Sequence, residues 1–371
     1  MFQGLPEYPW QKLKPYEQIA KNHPAGIVDL SVGSPVDATP KIIQDALNAS
    51  TNAPGYPSTA GSLELRQAIV DWFSRRRGVS GLSTEQVMPS IGSKELISLM
   101  PLMLGLGPDD VVVQPKVAYT AYIVGAALCG AQIISEDDPD TWPVNTKLIW
   151  LNSPGNPDGK VLTVEQMRKA VFKARELGAV LASDECYAEL GWGNWETDLV
   201  PSALDNRVND GNLENIISLY SLSKQSNLAG YRAAFAAGDL NLVKKLVNIR
   251  MHSGLIMPAP VQKAVIAALS DDKHVLEEKD IYRKRRELLL AAVKGYGFEI
   301  ADSEGGLYIW ATLGEDCWIT VQKMAELGIL VVPGEFYETA GSKFVRFSIT
   351  ATDEKIAEGA ARLGDALGFN S

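Results

Sequence analysis

The chain predicts an α/β protein, with one large domain on a mainly parallel sheet and a smaller α+β domain beside it. Three observations lead there. From about residue 85 to 240, short apolar runs alternate with helical segments. Most of those runs are continuously apolar, as strands are when both faces of a sheet are covered by helices. After about Pro258 the texture changes to a long helical region followed by shorter strands.

Each element has its own signal. The first 40 residues carry Pro6, Pro9, Pro15, Pro24, Pro35 and Pro40 around one strand-like patch, Ile27–Ser31. This stretch is grouped with the small domain rather than taken as an independent unit. The expected strands of the large sheet are Val111–Gln114, Gln132–Ser135, Leu148–Asn152, Val180–Asp184, Ile216–Tyr220 and Ala233–Ala237. One helix between them is well marked: Thr163 with Gln166 makes a capping box, Leu162 can pack back on it, and Gly178 stands where a C-terminal cap belongs. Beyond Pro258 the pattern predicts helix over about 260–295, strands at Gly306–Ala311, Ile329–Val332 and Phe344–Ile349, and a helix near 352–367. The expected division is a large domain over 41–257 and a small one from 1–40 plus 258–371. A chain of 371 residues fits about two domains.

Composition excludes several function classes. Asp plus Glu outnumber Lys plus Arg by 45 to 35, a net charge of −10. Nucleic acids and acidic membranes need a basic surface, so neither is an expected partner. The cysteines (Cys129, Cys186, Cys317) are three and widely spaced, and the three histidines do not cluster. Neither a disulfide framework nor a metal site is expected. The run LISLMPLMLGLG is too short to cross a bilayer, and the N-terminus lacks the apolar core of a secretory signal. The expected setting is the reducing cytoplasm.

The chemistry concentrates in residues 216–232, IISLYSLSKQSNLAGYR. A buried strand delivers Lys224 into a turn of small polar residues. Poor solvation there disfavours the ammonium form and frees the amine as a nucleophile. Ser221, Ser223 and Arg232 supply the donors a phosphate dianion needs. A Schiff-base lysine beside a phosphate cup is what pyridoxal 5'-phosphate requires.

Other short stretches add to this. GSKELI (92–97) opens an apolar helix with Ser93 and Lys94, whose free backbone N–H groups suit an anion. NSPGNP (152–157) projects Asn156 from a rigid loop after a strand, and its amide can donate to a phenolate. VLASDECY (180–187) ends a buried strand on Asp184, where an unpartnered carboxylate is costly and a pyridinium nitrogen would pair it. Tyr187 follows, able to donate to a ring oxygen. Tyr119, in YTAY, can stack on a flat ring. In FVRFSIT, Arg346 sits inside an apolar strand and calls for an anion.

In order and spacing these stretches resemble the fold-type I pyridoxal-phosphate enzymes of the class I/II aminotransferase family over essentially the whole chain. The resemblance implies the PLP-transferase fold and the following roles. Lys224 carries the cofactor covalently and acts as the catalytic base. Asp184 holds the pyridine nitrogen, Asn156 and Tyr187 hold the ring oxygen, and Tyr119 stacks. Ser93, Lys94, Ser221, Ser223 and Arg232 hold the phosphate. Tyr56, in GYPSTAG, matches a tyrosine that reaches the phosphate of a neighbouring subunit, which implies a homodimer with shared sites. Gly33, in SVGSP, and Arg346 take the substrate's α-carboxylate, and the partners are amino acids and keto acids.

Within the family, IVDLSVGSPVD, NSPGNPDG, SDECYAELGW and SLSKQSNLAGYR look like the actinobacterial N-succinyldiaminopimelate aminotransferases of lysine biosynthesis. That likeness implies amino transfer between N-succinyl-LL-2,6-diaminopimelate and 2-oxoglutarate. An aspartate, aromatic or broad-range aminotransferase and a C–S lyase share the same cofactor chemistry and stay open. One departure is Thr120, where such sequences usually carry proline.

Overall fold

The computed structural model describes residue 5 and residues 9–366; Pro6 and the expected last residue of the final helix, 367, lie outside them. The large sheet uses β2 (Val87–Ser90), β3 (Val111–Gln114), β4 (Gln132–Ser135), β5 (Thr146–Asn152), β6 (Val180–Asp184), β7 (Ile216–Ser221) and β8 (Ala234–Gly238), following a two-residue β1 (Val28–Asp29). Its order is β2-β8-β7-β6-β5-β3-β4. The ladders from β7 to β4 are parallel, and β8 pairs antiparallel with both β7 and β2. The strands expected from continuous apolar runs are therefore present, and β5 to β8 are almost wholly buried.

Helices cover both faces. Leu63–Arg77, Val164–Leu177 and Ala259–Ser270 pack on one face, through Leu65, Trp72, Met167, Val171 and Val265 among others. Ser93–Leu104, Ala121–Cys129 and Leu240–His252 pack on the other, through Leu96, Met100, Tyr122 and Leu246. The capping box on Thr163 and Gln166 is formed in both directions, and Gly178 closes the helix in the left-handed region.

The second core is built on β9 (Glu299–Ile300), β10 (Tyr308–Thr312), β11 (Ile329–Leu330), β12 (Val332–Pro333) and β13 (Phe344–Ser348). The order β12-β13-β10-β9 is antiparallel, and β11 pairs in parallel with β1. The single expected strand Ile329–Val332 is thus two, because its halves pair with different partners. The helix expected over 260–295 is also two, Ala259–Ser270 and Lys273–Tyr296. The break falls where Asp271 turns extended and its carboxylate accepts the His274 N–H at 3.1 Å. The final helix runs Asp353–Asp365, capped by Thr352.

Parallel pairing sets the stage for chemistry. The register puts Asn152 opposite Asp184 and Asp184 opposite Leu219. The C-terminal ends of β5, β6 and β7 therefore open on one edge, where ligands of such sheets bind.

Candidate active site

A cavity of about 320 Å³ lies on that edge. Its wall contains Gly33, Ser93, Lys94, Tyr119, Asn156, Asp184, Tyr187, Ser221, Ser223, Lys224, Arg232 and Arg346. Residues more than 300 positions apart are brought together because the chain after β1 runs beside β13, where the Ser348 N–H donates to the Leu30 carbonyl at 2.8 Å. Tyr56 is not among them: its side chain is fully exposed on the single chain.

Lys224 sits in a one-turn helix, Leu222–Gln225, directly after β7. Ser221 caps that turn by accepting the Ser223 N–H at 3.3 Å, and its hydroxyl meets that of Ser223 at 2.9 Å. The Lys224 ammonium donates to the Gly33 carbonyl. Burial pushes its pKa below the ordinary lysine value. Arg346 and Arg232 push the same way, while Tyr308 opposes them.

Asp184 ends β6 and is buried. The Tyr122 hydroxyl donates to Oδ2 at 3.0 Å and the Cys186 N–H to Oδ1 at 3.3 Å. Burial still raises the carboxyl above the usual range. No cation pairs with it among the described residues. Trp150 stacks on Tyr122 at 4.9 Å and holds that donor in place.

The anion cup forms where the helix Ser93–Leu104 begins. Gly92 is its N-cap, with φ of +93°. A Cβ at that position would overlap the Arg232 guanidinium, so glycine lets the arginine lie against the helix start. Arg232 itself is left-handed and donates to the Ala229 carbonyl at 2.8 Å.

Arg346, opposite, donates from Nη1 to Asn156 Oδ1 at 2.9 Å and from Nη2 to the Ser31 carbonyl at 2.8 Å. Its Nε is buried without a partner, and no carboxylate pairs with it among the described residues. The guanidinium lies 3.9 Å from the Tyr308 ring centroid and 5.1 Å from that of Tyr337. Asn156 uses its oxygen on Arg346, which leaves its amide N–H groups for another acceptor.

Sequence reasoning missed Tyr122, Cys186, Tyr308, Tyr337, Trp10 and Asn152, all of which line the cavity or hold its groups. Tyr122 had a readable signal: it follows Tyr119 by three residues at a helix start, so both share a face. Tyr308 had none without the β10–β13 register, which pairs Trp310 with Arg346 and sets Tyr308 on the same face two residues away.

The donor set fits pyridoxal phosphate. It offers a buried amine, a buried carboxyl lacking a cation, an anion cup at a helix start, and an orphaned guanidinium N–H for a substrate carboxylate.

The family described as aminotransferase class I and II matches residues 25–363. The 4-dedimethylamino-4-oxo-anhydrotetracycline transaminase OxyQ of Streptomyces rimosus is 49% identical, over 97% of this chain and 99% of its own length. The probable aminotransferase Rv1178 of Mycobacterium tuberculosis is 46% identical, over 97% and 85%. The solved structure of a probable N-succinyldiaminopimelate aminotransferase from Thermus thermophilus superposes with a TM-score of 0.86 at 27% identity, covering 96% of this chain and 99% of that one. The buried lysine, the carboxyl and the anion cup thus stand in a chain that belongs to the class I and II aminotransferases, enzymes that move amino groups with pyridoxal phosphate.

Proposed function

We propose that the protein transfers an amino group between N-succinyl-LL-2,6-diaminopimelate and 2-oxoglutarate, with glutamate as the other amino acid, in lysine biosynthesis. The observation that carries the substrate class is Arg346: a buried guanidinium without a carboxylate partner suits an α-carboxylate. Lys94 adds to it. Its exposed side chain stands in the cavity wall in no ion pair among the described residues, well placed for a second, distal carboxylate. Glutamate and the succinylated substrate both carry one. The likeness to the Thermus thermophilus protein supports the same reading.

The chain's own groups divide the work. Bound pyridoxal phosphate supplies an electron sink for the bond that breaks at the substrate's α-carbon. Asp184 holds the ring nitrogen, and Tyr122 and the Cys186 N–H keep its carboxyl aimed. Asn156 and Tyr187 would hold the ring oxygen, and Tyr119 would stack on the ring. Ser93, Lys94, Ser221, Ser223 and Arg232 surround the phosphate. Arg346 and Gly33 orient the substrate. Lys224 Nζ, whose pKa burial lowers, would take the proton from the α-carbon.

A second reading has one specific support, the 49% identity to a transaminase whose name gives a tetracyclic ketone as substrate. In that case glutamate remains the donor and the acceptor lacks an α-carboxylate. An assay with glutamate as donor tests both. Turnover of the keto form of N-succinyl-diaminopimelate, well above that of 2-oxosuccinate, phenylpyruvate or a polycyclic ketone, supports the first reading. Turnover of the polycyclic ketone alone replaces it.

We also propose a homodimer in which the exposed Tyr56 enters the partner's phosphate cup. A tyrosine with no shielding on the single chain is consistent with that role. The large-domain and small-domain division is supported by the separate cores, but the helix Ala259–Ser270 packs into the large core. The boundary we propose therefore lies near Asp271.

A further inference from the structure

Two phenols meet at the back of the cavity. The hydroxyls of Tyr187 and Tyr308 are 3.1 Å apart, and both residues are buried. Each hydroxyl carries one proton, so one of the two donates and the other accepts. The surroundings decide which.

Tyr308 lies beneath the Arg346 guanidinium at 3.9 Å. Burial raises its pKa, but Arg346, Lys224 and the hydrogen bond with Tyr187 together leave the phenol below its ordinary value. Tyr187 goes the other way, raised well above the ordinary value by burial and by Tyr308 itself. A Tyr187 hydroxyl that gives its one proton to a ring oxygen can only accept from its neighbour, so the Tyr308 proton goes to the Tyr187 oxygen. The Tyr187 proton is then free to point into the cavity. Tyr308 is also fenced in. A Cβ at position 33 would overlap its hydroxyl, so Gly33 packs against the oxygen and fixes where it sits.

From this geometry we infer that Tyr308 is a positioning residue that acts on the ring oxygen of bound pyridoxal phosphate through Tyr187. It rests on the assignment of Tyr187 to that oxygen. A hydroxyl that accepts a hydrogen bond becomes a stronger donor. Tyr187, charged in this way by Tyr308, stabilises negative charge on the ring oxygen better than a lone tyrosine. The same ring that stacks on Arg346 thus links the substrate's carboxylate site to the cofactor's oxygen.

The test is a pH titration of the visible absorption of the holoenzyme in four forms: wild type, Tyr308→Phe, Tyr187→Phe and the double variant. Phenylalanine keeps the ring and its stack on Arg346 and removes the donor. A less stabilised ring oxygen holds the cofactor's proton to higher pH. Tyr308→Phe moves the spectral midpoint up by about 0.5 unit, the size expected from part of one neutral hydrogen bond. Tyr187→Phe moves it further, and adding Tyr308→Phe to that variant moves it no more. A midpoint unchanged or lowered in Tyr308→Phe overturns the proposal. So does a Tyr308→Phe shift that persists in full without the Tyr187 hydroxyl, since the effect would then not pass through it. An unshifted Tyr187→Phe removes the ring-oxygen assignment and this proposal together, while leaving the transaminase activity, read in the same samples with glutamate, as a separate result.

Discussion

Arg346 Nη1 and Asn156 Oδ1 are joined by a 2.9 Å hydrogen bond between β13 and the loop that follows β5. The bond orients both groups. It turns the Asn156 N–H groups away from the arginine, and it helps hold the guanidinium over the Tyr308 ring, 3.9 Å from its centroid.

Arg346→Lys keeps the charge but loses the planar fork and the stack. The expected outcome is a rise in KM for glutamate of roughly 10- to 100-fold, with a smaller change in kcat, as the loss of charge-assisted bonds implies. Steady-state kinetics at saturating keto acid checks it. An unchanged KM would remove Arg346 from the carboxylate site.

Lys224→Ala is expected to lower turnover by at least about 10⁴-fold and to abolish the visible band of covalently held cofactor. The buried amine also costs stability before cofactor binds. Its folded pKa lies below the ordinary 10.5, so the unfolded chain binds more protons in between. The cofactor-free protein therefore gains stability as pH rises through that window. Lys224→Met, without cofactor, should melt above the wild type at pH 7, and the gap should close toward pH 10.5.

Asp184→Asn removes the charge proposed to pair with the ring nitrogen, with an expected loss in kcat on the order of 10²-fold or more. Tyr122→Phe deletes the donor at 3.0 Å from Asp184 and should cost less, about 2- to 10-fold, in the range of one hydrogen bond. Single-turnover rates with glutamate separate the two. Equal losses would mean that Tyr122 does more than aim the carboxylate.

Glu278 gives a pH signature in stability. Burial and the nearby Asp37 push its carboxyl up to about 7, against hydrogen bonds from Asn227 and Tyr282. Its Oε1 is buried without a partner. Below its ordinary pKa of 4.5 the group is protonated whether the chain is folded or not. Between about 4.5 and 7 the folded chain holds the extra proton, so stability falls as pH rises and then levels off. Glu278→Gln should raise the melting temperature by about 2 °C at pH 8 and by much less at pH 5.

Gly92→Ala puts a methyl group where the Arg232 guanidinium lies and forces a residue with φ of +93° into strain. The expected result is weaker cofactor binding, by about tenfold or more for the loss of one charge-assisted contact. Equilibrium dialysis with pyridoxal phosphate measures it.

Much of the large sheet was legible because buried parallel strands write themselves as unbroken apolar runs, as Ile216–Leu219 and Val180–Ala182 do. Lys224, Asp184 and Asn156 were legible because each follows such a run, at an end where polar residues otherwise have no reason to be. Tyr308 and Trp10 were not. Each is one aromatic among many, and its place beside the cavity depends on packing between segments far apart in sequence. The two-way split at Val331 was hidden for the same reason: a four-residue apolar run says nothing about changing partners midway.

The grip on Arg346 comes from both cores at once, through Asn156, the Ser31 carbonyl and the Tyr308 ring. Altering that floor would disturb the packing between the two cores along with the guanidinium proposed to hold a substrate carboxylate. The rim is under no such constraint: Val32, Lys94 and Thr120 border the same cavity without tying the halves together. Substitutions at the rim could therefore change which keto compound fits while leaving the grip on Arg346 untouched.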